Sequence, residues 1–184
     1  SPEKLSNWRT NQIYMGHFAL TDVEKNRFFF SERFSRENIK LAGSITKPFR
    51  VWLENWEVTG DSTKDHFPQI IRAKTEEVEL ELELTSLKPF VLQGNQGHSQ
   101  KGSRPGNASF YYSFTRMKTQ GVLKIQGTLF QVQGHSWMDR EWSTSALEKG
   151  QIGWDWFALQ LSDGREVMLY QIRLENGKPD STSK

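Results

Sequence analysis

The sequence contains no cysteine, which excludes disulfide bonds, thiolate metal sites and cysteine nucleophiles. It also lacks an apolar run of about 18 residues, so no transmembrane segment is expected. Residues 1–10 contain no apolar stretch typical of a signal peptide. Neither charge sign dominates, because 24 Lys and Arg residues are balanced by 22 Asp and Glu residues. This balance argues against nucleic acid as a partner, which would need basic residues clustered on one face.

Aromatic residues are frequent in a chain that is otherwise poor in apolar side chains. Only 35% of the 184 residues are hydrophobic, yet seven are Trp and twelve are Phe. Because an aromatic side chain buries about 150–250 Å², a few of them can either form a β core or line a pocket. The length predicts a single domain over residues 1–184, with a core over 14–174 and a polar tail, 175–184, that frays.

Alternating apolar and polar residues run through most of the chain. The clearest run is Val78–Leu84, which is typical of a strand with one buried and one solvated face. Asp163-Gly164 joins two such runs and indicates a tight hairpin. Further runs cover residues 13–20, 28–36, 50–58, 108–117, 121–133, 152–161 and 166–174. Eight or so strands without a sustained helical pattern predict an all-β fold, and we favour an antiparallel barrel or half-barrel over a sandwich.

Residues 94–107 interrupt this alternation with a polar, glycine-rich loop. A loop of this length is typical of a functional segment. It lacks a phosphate-binding motif, and no helical pattern follows it.

The segment Gly134–Trp142 combines residue types that can carry chemistry. Strand alternation places His135, Trp137, Asp139 and Glu141 on one face. If that face points inward, burial raises the pKa of a carboxyl group toward the range of a general acid; if it points outward, the acids are ordinary solvated residues. A metal site from His135, Asp139 and Glu141 is disfavoured because the three are spread along one strand. We therefore expect neither a metal nor a cofactor.

Asp155 lies between Trp154 and Trp156, which occupy the other face of its strand. An aspartate buried there needs a partner, so either a cation such as Arg116 or Arg173 pairs with it or it has a functional role. Four further residues are weaker candidates for ligand binding: His17, Arg36, Phe110 and Tyr112.

These segments, in this order, resemble one known family. The most specific are Ala108–Ser113, Gly134–Trp142 and Gly153–Phe157, supported by weaker likeness at Tyr14–Asp22. Together they resemble the AttH-like and hydroxyneurosporene synthase (carotenoid 1,2-hydratase) N-terminal domain family, described as predicted secreted hydrolases. The resemblance implies a lipocalin-like barrel and a periplasmic or secreted location. The likeness is closer to the AttH-like branch, and the second lipocalin-like domain of that family is not found in this sequence.

Three hypotheses on function follow from the residues and the resemblance. In the first, Asp139 or Asp155 protonates an isoprenoid-like alkene, and indole faces such as that of Trp137 stabilise the cation during hydration. This hypothesis expects at least one of the two carboxylates to be mostly buried beside a cavity bordered by tryptophan. In the second, the barrel carries an apolar small molecule without chemistry. In the third, the domain is structural or mediates protein interactions, and its acids serve only as salt-bridge partners of arginines (Arg36, Arg116, Arg140 and Arg173). Separately, we expect a second domain or a second copy to cover an open edge of the barrel.

Overall fold

The computed structural model describes residues 12–38, 40–61, 66–104, 106–143, 147–181 and 183. Within these ranges all regular secondary structure is β-strand, and the paired strands run antiparallel to each other. The all-β prediction is therefore confirmed. The strands are β1 (Ile13–Asp22), β2 (Arg27–Arg36), β3 (Ala42–Thr46), β4 (Phe49–Leu53), β5 (Trp56–Gly60), β6 (Gln69–Lys74), β7 (Val78–Ser86), β8 (Val91–Leu92), β9 (His98–Gln100), β10 (Ala108–Ile125), β11 (Thr128–Ser143), β12 (Gln151–Gln160) and β13 (Glu166–Leu174).

The strands form three sheets of two, nine and two strands. In the described ranges none of these sheets closes into a ring. This agrees with the half-barrel alternative, in which the sheet stays open. Nor does that part of the chain contain a helix long and apolar enough to cross a membrane. The N-terminal segment, for which the sequence predicts no signal peptide, lies outside the described residues.

The chain divides into two compact units. The first comprises Ser1–Thr85 and Lys118–Gly134, and the second comprises Ser86–Met117 and His135–Lys184. Both β10 and β11 contribute residues to each unit, so the single domain expected from the sequence stays a prediction.

The first unit contains the hairpin β1–β2 and the meander from β3 to β7. The meander follows the order β7-β6-β5-β4-β3, so neighbours in sequence are also neighbours in the sheet. Strand β7 confirms the alternation at Val78–Leu84, because Val78 and Leu84 are buried while Glu79 and Glu81 are exposed. Phe29, Val78 and Ile125 form a buried cluster in this unit.

Residues 50–58, expected as one strand, belong to two strands. Leu53 and Trp56 face each other across a hairpin whose two-residue connection is Glu54-Asn55. Glu54 adopts a positive φ of 57°, which such turns require and which is usually supplied by Gly, Asn or Asp. The expectation of a single strand is therefore wrong, because this turn carries no glycine to mark it.

Strands β10 and β11 are longer than expected. The expected run 121–133 is broken at Gln126-Gly127, where both residues have positive φ (48° and 87°). Positive φ at both central positions is the signature of a type I′ hairpin turn. The hairpin between β10 and β11 therefore turns at these two residues. The predicted run 108–117 and the first part of the predicted run 121–133 form one strand, Ala108–Ile125.

The second unit is organised around the first half of β10. The short strands β8 and β9 pair with it, and β12 and β13 form a separate hairpin. This hairpin turns at Asp163-Gly164, as predicted, with Gly164 at φ 84°.

Described residues of the polar tail are hydrogen-bonded to β13 and to Gln151, and its expected fraying stays a prediction. The Asp180 amide donates to the Ile172 carbonyl at 2.8 Å, and the Ile172 amide donates to Ser183 Oγ at 3.0 Å. The Asp180 carboxylate also accepts from the Gln151 side chain at 3.1 Å. These contacts satisfy backbone groups of β13 that would otherwise face solvent.

Candidate functional site

The second unit contains a cavity of about 690 Å³. Its walls come from β10 to β13 and from two loop positions, and all of its lining residues belong to this unit. The apolar and aromatic side chains are Tyr111, Trp142, Leu147, Trp154, Trp156, Tyr170 and Ile172. The polar ones are Lys101, Ser109, Asp139, Glu141, Ser143 and Gln151.

The hairpin β12–β13 presents two indoles to this cavity. The register pairs Trp154 with Ile172 and Trp156 with Tyr170, so strand alternation places all four on one face of the hairpin. Trp154 is 59% exposed and Trp156 is 40% exposed. A molecule that enters the cavity can therefore contact both indoles.

Strand β10 contributes its polar face, because its serines point toward the acids of β11. Ser109 Oγ donates to Glu141 Oε1 at 2.5 Å, and Ser113 Oγ donates to Asp139 Oδ1 at 2.6 Å. Asp139 and Glu141 are two residues apart and so share a face of β11, as the sequence predicts.

Asp139 is the centre of a hydrogen-bond network. Trp137 Nε1 donates to Asp139 Oδ1 at 2.8 Å, in addition to Ser113. The Tyr111 hydroxyl also interacts with Asp139, Ser113 and Trp156. The donors Ser113 and Trp137, on two neighbouring strands, therefore hold the Asp139 carboxylate in one orientation.

Tyr111 is buried at the base of this network. Burial, and next the negative charge of Asp139, raise the pKa of Tyr111 to about 12. The phenol is therefore protonated across the physiological pH range and serves as a hydrogen-bond donor.

Lys101 brings the one ammonium group to the lining residues. Its Nζ lies 2.7 Å from Glu141 Oε1. It also lies 5.1 Å from the ring centre of Tyr111 and 4.6 Å from that of Tyr170. An ion pair and two aromatic rings thus hold the ammonium at the polar end of the cavity.

The glycine-rich loop positions Lys101. The Glu148 carboxylate accepts from the amides of Ser103 and Arg104 at 3.3 and 3.1 Å. A hydrogen bond from Asn107, followed by these amide bonds, lowers the pKa of Glu148. At Gly102 a Cβ would lie only 2.2 Å from Asn107 Nδ2. Because the Lys101 amide donates to the Asn107 carbonyl at 2.9 Å, these contacts fix the backbone from which the Lys101 side chain extends.

The two predicted acids differ in their surroundings. Asp139 lines the cavity but is exposed. Asp155 forms an ion pair with Arg173, one of the two partners considered from the sequence, and its side chain is 41% exposed. The expectation of a mostly buried carboxylate is therefore wrong for both residues. The cavity is accessible, and Asp155 lies on the opposite face of β12 from the indoles that line it.

The other predicted residues are distributed over both units. Trp137 contacts Trp156 edge to face at 6.4 Å, beside the cavity, whereas His135 is exposed and is not one of its lining residues. On the other face of β10, Phe110 stacks on Trp142 and Tyr112 contacts the same indole edge to face.

His17 and Arg36 belong to the first unit, on the hairpin β1–β2. His17 lies 3.7 Å from Glu32 and next to Phe30, and Arg36 is exposed at the end of β2. The binding or catalytic roles of all these residues stay predictions. Among the described residues, no group of three or more His, Asp or Glu side chains is arranged to hold a metal ion.

Sequence reasoning missed Lys101, Tyr111 and the two serines. The signal that could have found them is their position in β10, because Ser109, Tyr111 and Ser113 alternate with the aromatic residues chosen instead. Choosing the correct face of that strand requires the pairing register with β11, which composition does not contain.

Comparisons with known proteins place these features in context. A family model described as AttH-like matches residues 1–184, and no curated protein sequence matches significantly. The crystal structure of an AttH protein from Nitrosomonas europaea superposes with a TM-score of 0.84 and 30% identity, over 95% of this chain and 53% of that one. Kievitone hydratase from Nectria haematococca superposes with a TM-score of 0.63 and 17% identity, over 90% of this chain and 54% of that one. The chain thus spans about half the length of these two solved structures.

Proposed function

The chain belongs to the AttH-like family and has a lipocalin-like, all-β fold, and from this premise we propose that it binds an apolar ligand in the cavity of its second unit. The main support for this proposal is the cavity itself, which has a volume of about 690 Å³ and is lined by two exposed indoles. Exposed apolar surface of this kind is typical of a binding site, because covering it releases water from the indole faces. An isoprenoid-like or lipid-like molecule has the matching chemistry.

A second candidate is hydration of an alkene in that ligand. It is favoured by one observation, which is that Asp139 and Glu141 line the same cavity as Trp154 and Trp156. A carboxyl group would give its proton to one alkene carbon, and the resulting cation would be stabilised by an indole face. Water would then attack the cation, and the proton that water loses would return to the carboxylate. The carotenoid hydratases within the resembling family, and the fold shared with kievitone hydratase, support this candidate.

Ligand titration tests the binding proposal. All-trans-retinol, as an isoprenoid probe, should quench the tryptophan fluorescence with saturation. Trp154→Ala should weaken binding about five- to thirtyfold, equivalent to about 1–2 kcal/mol, because it removes an indole from the wall. Phe157→Ala is the matched control, since Phe157 is an exposed aromatic residue on the other face of the same strand. Equal effects of the two variants would contradict the assignment to this cavity.

Product analysis separates the two candidates. If the protein is a hydratase, incubation with an isoprenoid alkene should yield a product heavier by one water molecule. Asp139→Asn and Glu141→Gln should abolish this product, measured at alkene concentrations that saturate each variant in the fluorescence titration. Binding without any product in the unsubstituted protein would leave the carrier function and exclude hydration of that alkene.

A further inference from the structure

The polar end of the cavity restricts the class of ligand. This inference rests on the proposed binding function and adds a head group to it. We propose that the ligand is a neutral apolar molecule with a hydroxyl group at one end, and that the cavity discriminates against carboxylates such as fatty acids.

The lining of the cavity is negatively charged. Its described residues include two carboxylates, Asp139 and Glu141, and one ammonium, Lys101. The formal charge of the lining at neutral pH is therefore −1. A ligand carboxylate would be repelled by this charge, and partial exclusion of water by the apolar walls strengthens the repulsion.

The ammonium of the lining is already engaged. Lys101 Nζ is paired with Glu141 Oε1 at 2.7 Å and lies between the rings of Tyr111 and Tyr170. A ligand anion would have to compete with Glu141 for this ammonium, and success would leave Glu141 without its cation. A ligand anion in this cavity would therefore only replace Glu141 as the partner of Lys101, and the number of ion pairs would not increase. A pocket whose basic side chain has no acidic partner would instead gain an ion pair.

The Glu141 carboxylate can still be reached by a hydrogen-bond donor. Its Oε1 accepts from Ser109 and pairs with Lys101, and its side chain remains 38% exposed. An ionised carboxylate oxygen can only accept. The group that satisfies it must therefore donate a hydrogen bond, which a hydroxyl can do and a ligand carboxylate cannot.

A matched ligand pair tests this inference. 1-Decanol and decanoate share one chain length and differ in the head group. We expect the folded protein at neutral pH to bind 1-decanol at least about tenfold more tightly than decanoate, equivalent to about 1.4 kcal/mol. The readout is displacement of bound retinol, followed by tryptophan fluorescence.

The variant Glu141→Gln removes one negative charge from the lining, and with it the carboxylate that pairs with Lys101. It should tighten decanoate binding at least about threefold, which is about 0.65 kcal/mol, and so narrow the preference for 1-decanol over decanoate. Glu175→Gln removes the same charge from an exposed residue outside the lining and should change neither affinity. The unsubstituted protein provides a test that does not depend on a variant, since added salt should narrow the preference by screening the repulsion.

The outcomes separate this inference from the function on which it rests. Decanoate binding as tight as that of 1-decanol, or a preference unaffected by both salt and Glu141→Gln, would overturn the hydroxyl assignment while leaving an apolar binding site in place. Failure of retinol and both decyl compounds to bind the folded protein would overturn the proposed function itself.

Discussion

Glu166, at the start of β13, connects three segments of the second unit. Its carboxylate accepts from Lys88 Nζ at 2.6 Å and from Arg116 Nε at 2.5 Å, and its side chain is only 9% exposed. Arg116 also donates to the carbonyl of Leu161 at 3.0 Å. Together these bonds join the hairpin that carries Trp154 to the strand that carries Tyr111. Glu166→Gln should therefore destabilise the walls of the cavity.

The size of this effect follows from what the substitution leaves behind. Glutamine keeps the shape but leaves two cations without their counter-charge. Breaking a buried ion pair in this way costs about 3–5 kcal/mol. Because Arg116 and Lys88 are partly exposed and regain water, we expect a loss of about 2–4 kcal/mol, equivalent to a fall in Tm of roughly 4–16 °C.

Urea denaturation followed by tryptophan fluorescence and circular dichroism measures this loss. Burial raises the pKa of Glu166, but hydrogen bonds from Lys88 and Arg116 outweigh it, so the pKa lies below its ordinary value of 4.5. The stabilisation is therefore present above that pH and is lost as the pH falls through the lowered pKa. The difference in the free energy of unfolding between the unsubstituted protein and Glu166→Gln should therefore disappear in that acidic range.

Asp163→Asn is the matched control because it removes an acid that is paired with Arg165 on the exposed turn of the same hairpin. This variant should unfold almost like the unsubstituted protein. If Glu166→Gln were equally stable, or if its deficit were the same at acidic and neutral pH, the ionic network would not stabilise the unit as we argue.

Three further predictions concern the site. The pKa of Tyr111 is raised from its ordinary value of 10.0 to about 12. The free energy of unfolding should therefore fall as the pH rises from 10.0 to about 12. In urea titrations over that pH range, the free energy of unfolding of Tyr111→Phe should fall less than that of the unsubstituted protein. Asp155→Asn should cost only about 0–1 kcal/mol in denaturation and leave retinol binding unchanged, since its ion pair is half-exposed and outside the cavity. Glu148→Ala should accelerate amide hydrogen exchange at Ser103 and Arg104, whose amides it binds; unchanged exchange would show that Glu148 does not anchor the loop.

The strand content could be predicted because its causes are local. Val78–Leu84 alternates strictly, and Asp163-Gly164 supplies the positive φ of its turn, so both features can be read from neighbouring residues. The hairpin at Glu54-Asn55 could not be read in this way. There the facing residues Leu53 and Trp56 determine the turn through cross-strand pairing, and such pairing is not a property of a short window of sequence.

The candidate site was predictable in part for a related reason. Asp139, Glu141, Trp154 and Trp156 follow from residue type and alternation, and all four line the cavity. On β10, however, aromatic residues occupy both faces, so residue type does not show which face is inside. Alternation assigns relative faces only, and the absolute face depends on long-range packing. Tyr111 was therefore missed in favour of its neighbours.

The same geometry explains why two aspartates with similar aromatic neighbours differ so much. In a strand, residues at i±1 point to opposite faces and residues at i±2 share a face. Asp155 directly adjoins two indoles in sequence, and for that reason its carboxylate cannot lie on their face; it pairs instead with Arg173. Asp139 is two residues from Trp137 and accepts the hydrogen bond from its indole nitrogen at 2.8 Å. A carboxylate that acts together with indoles is therefore expected two residues away from them, which is the position of Asp139 relative to Trp137.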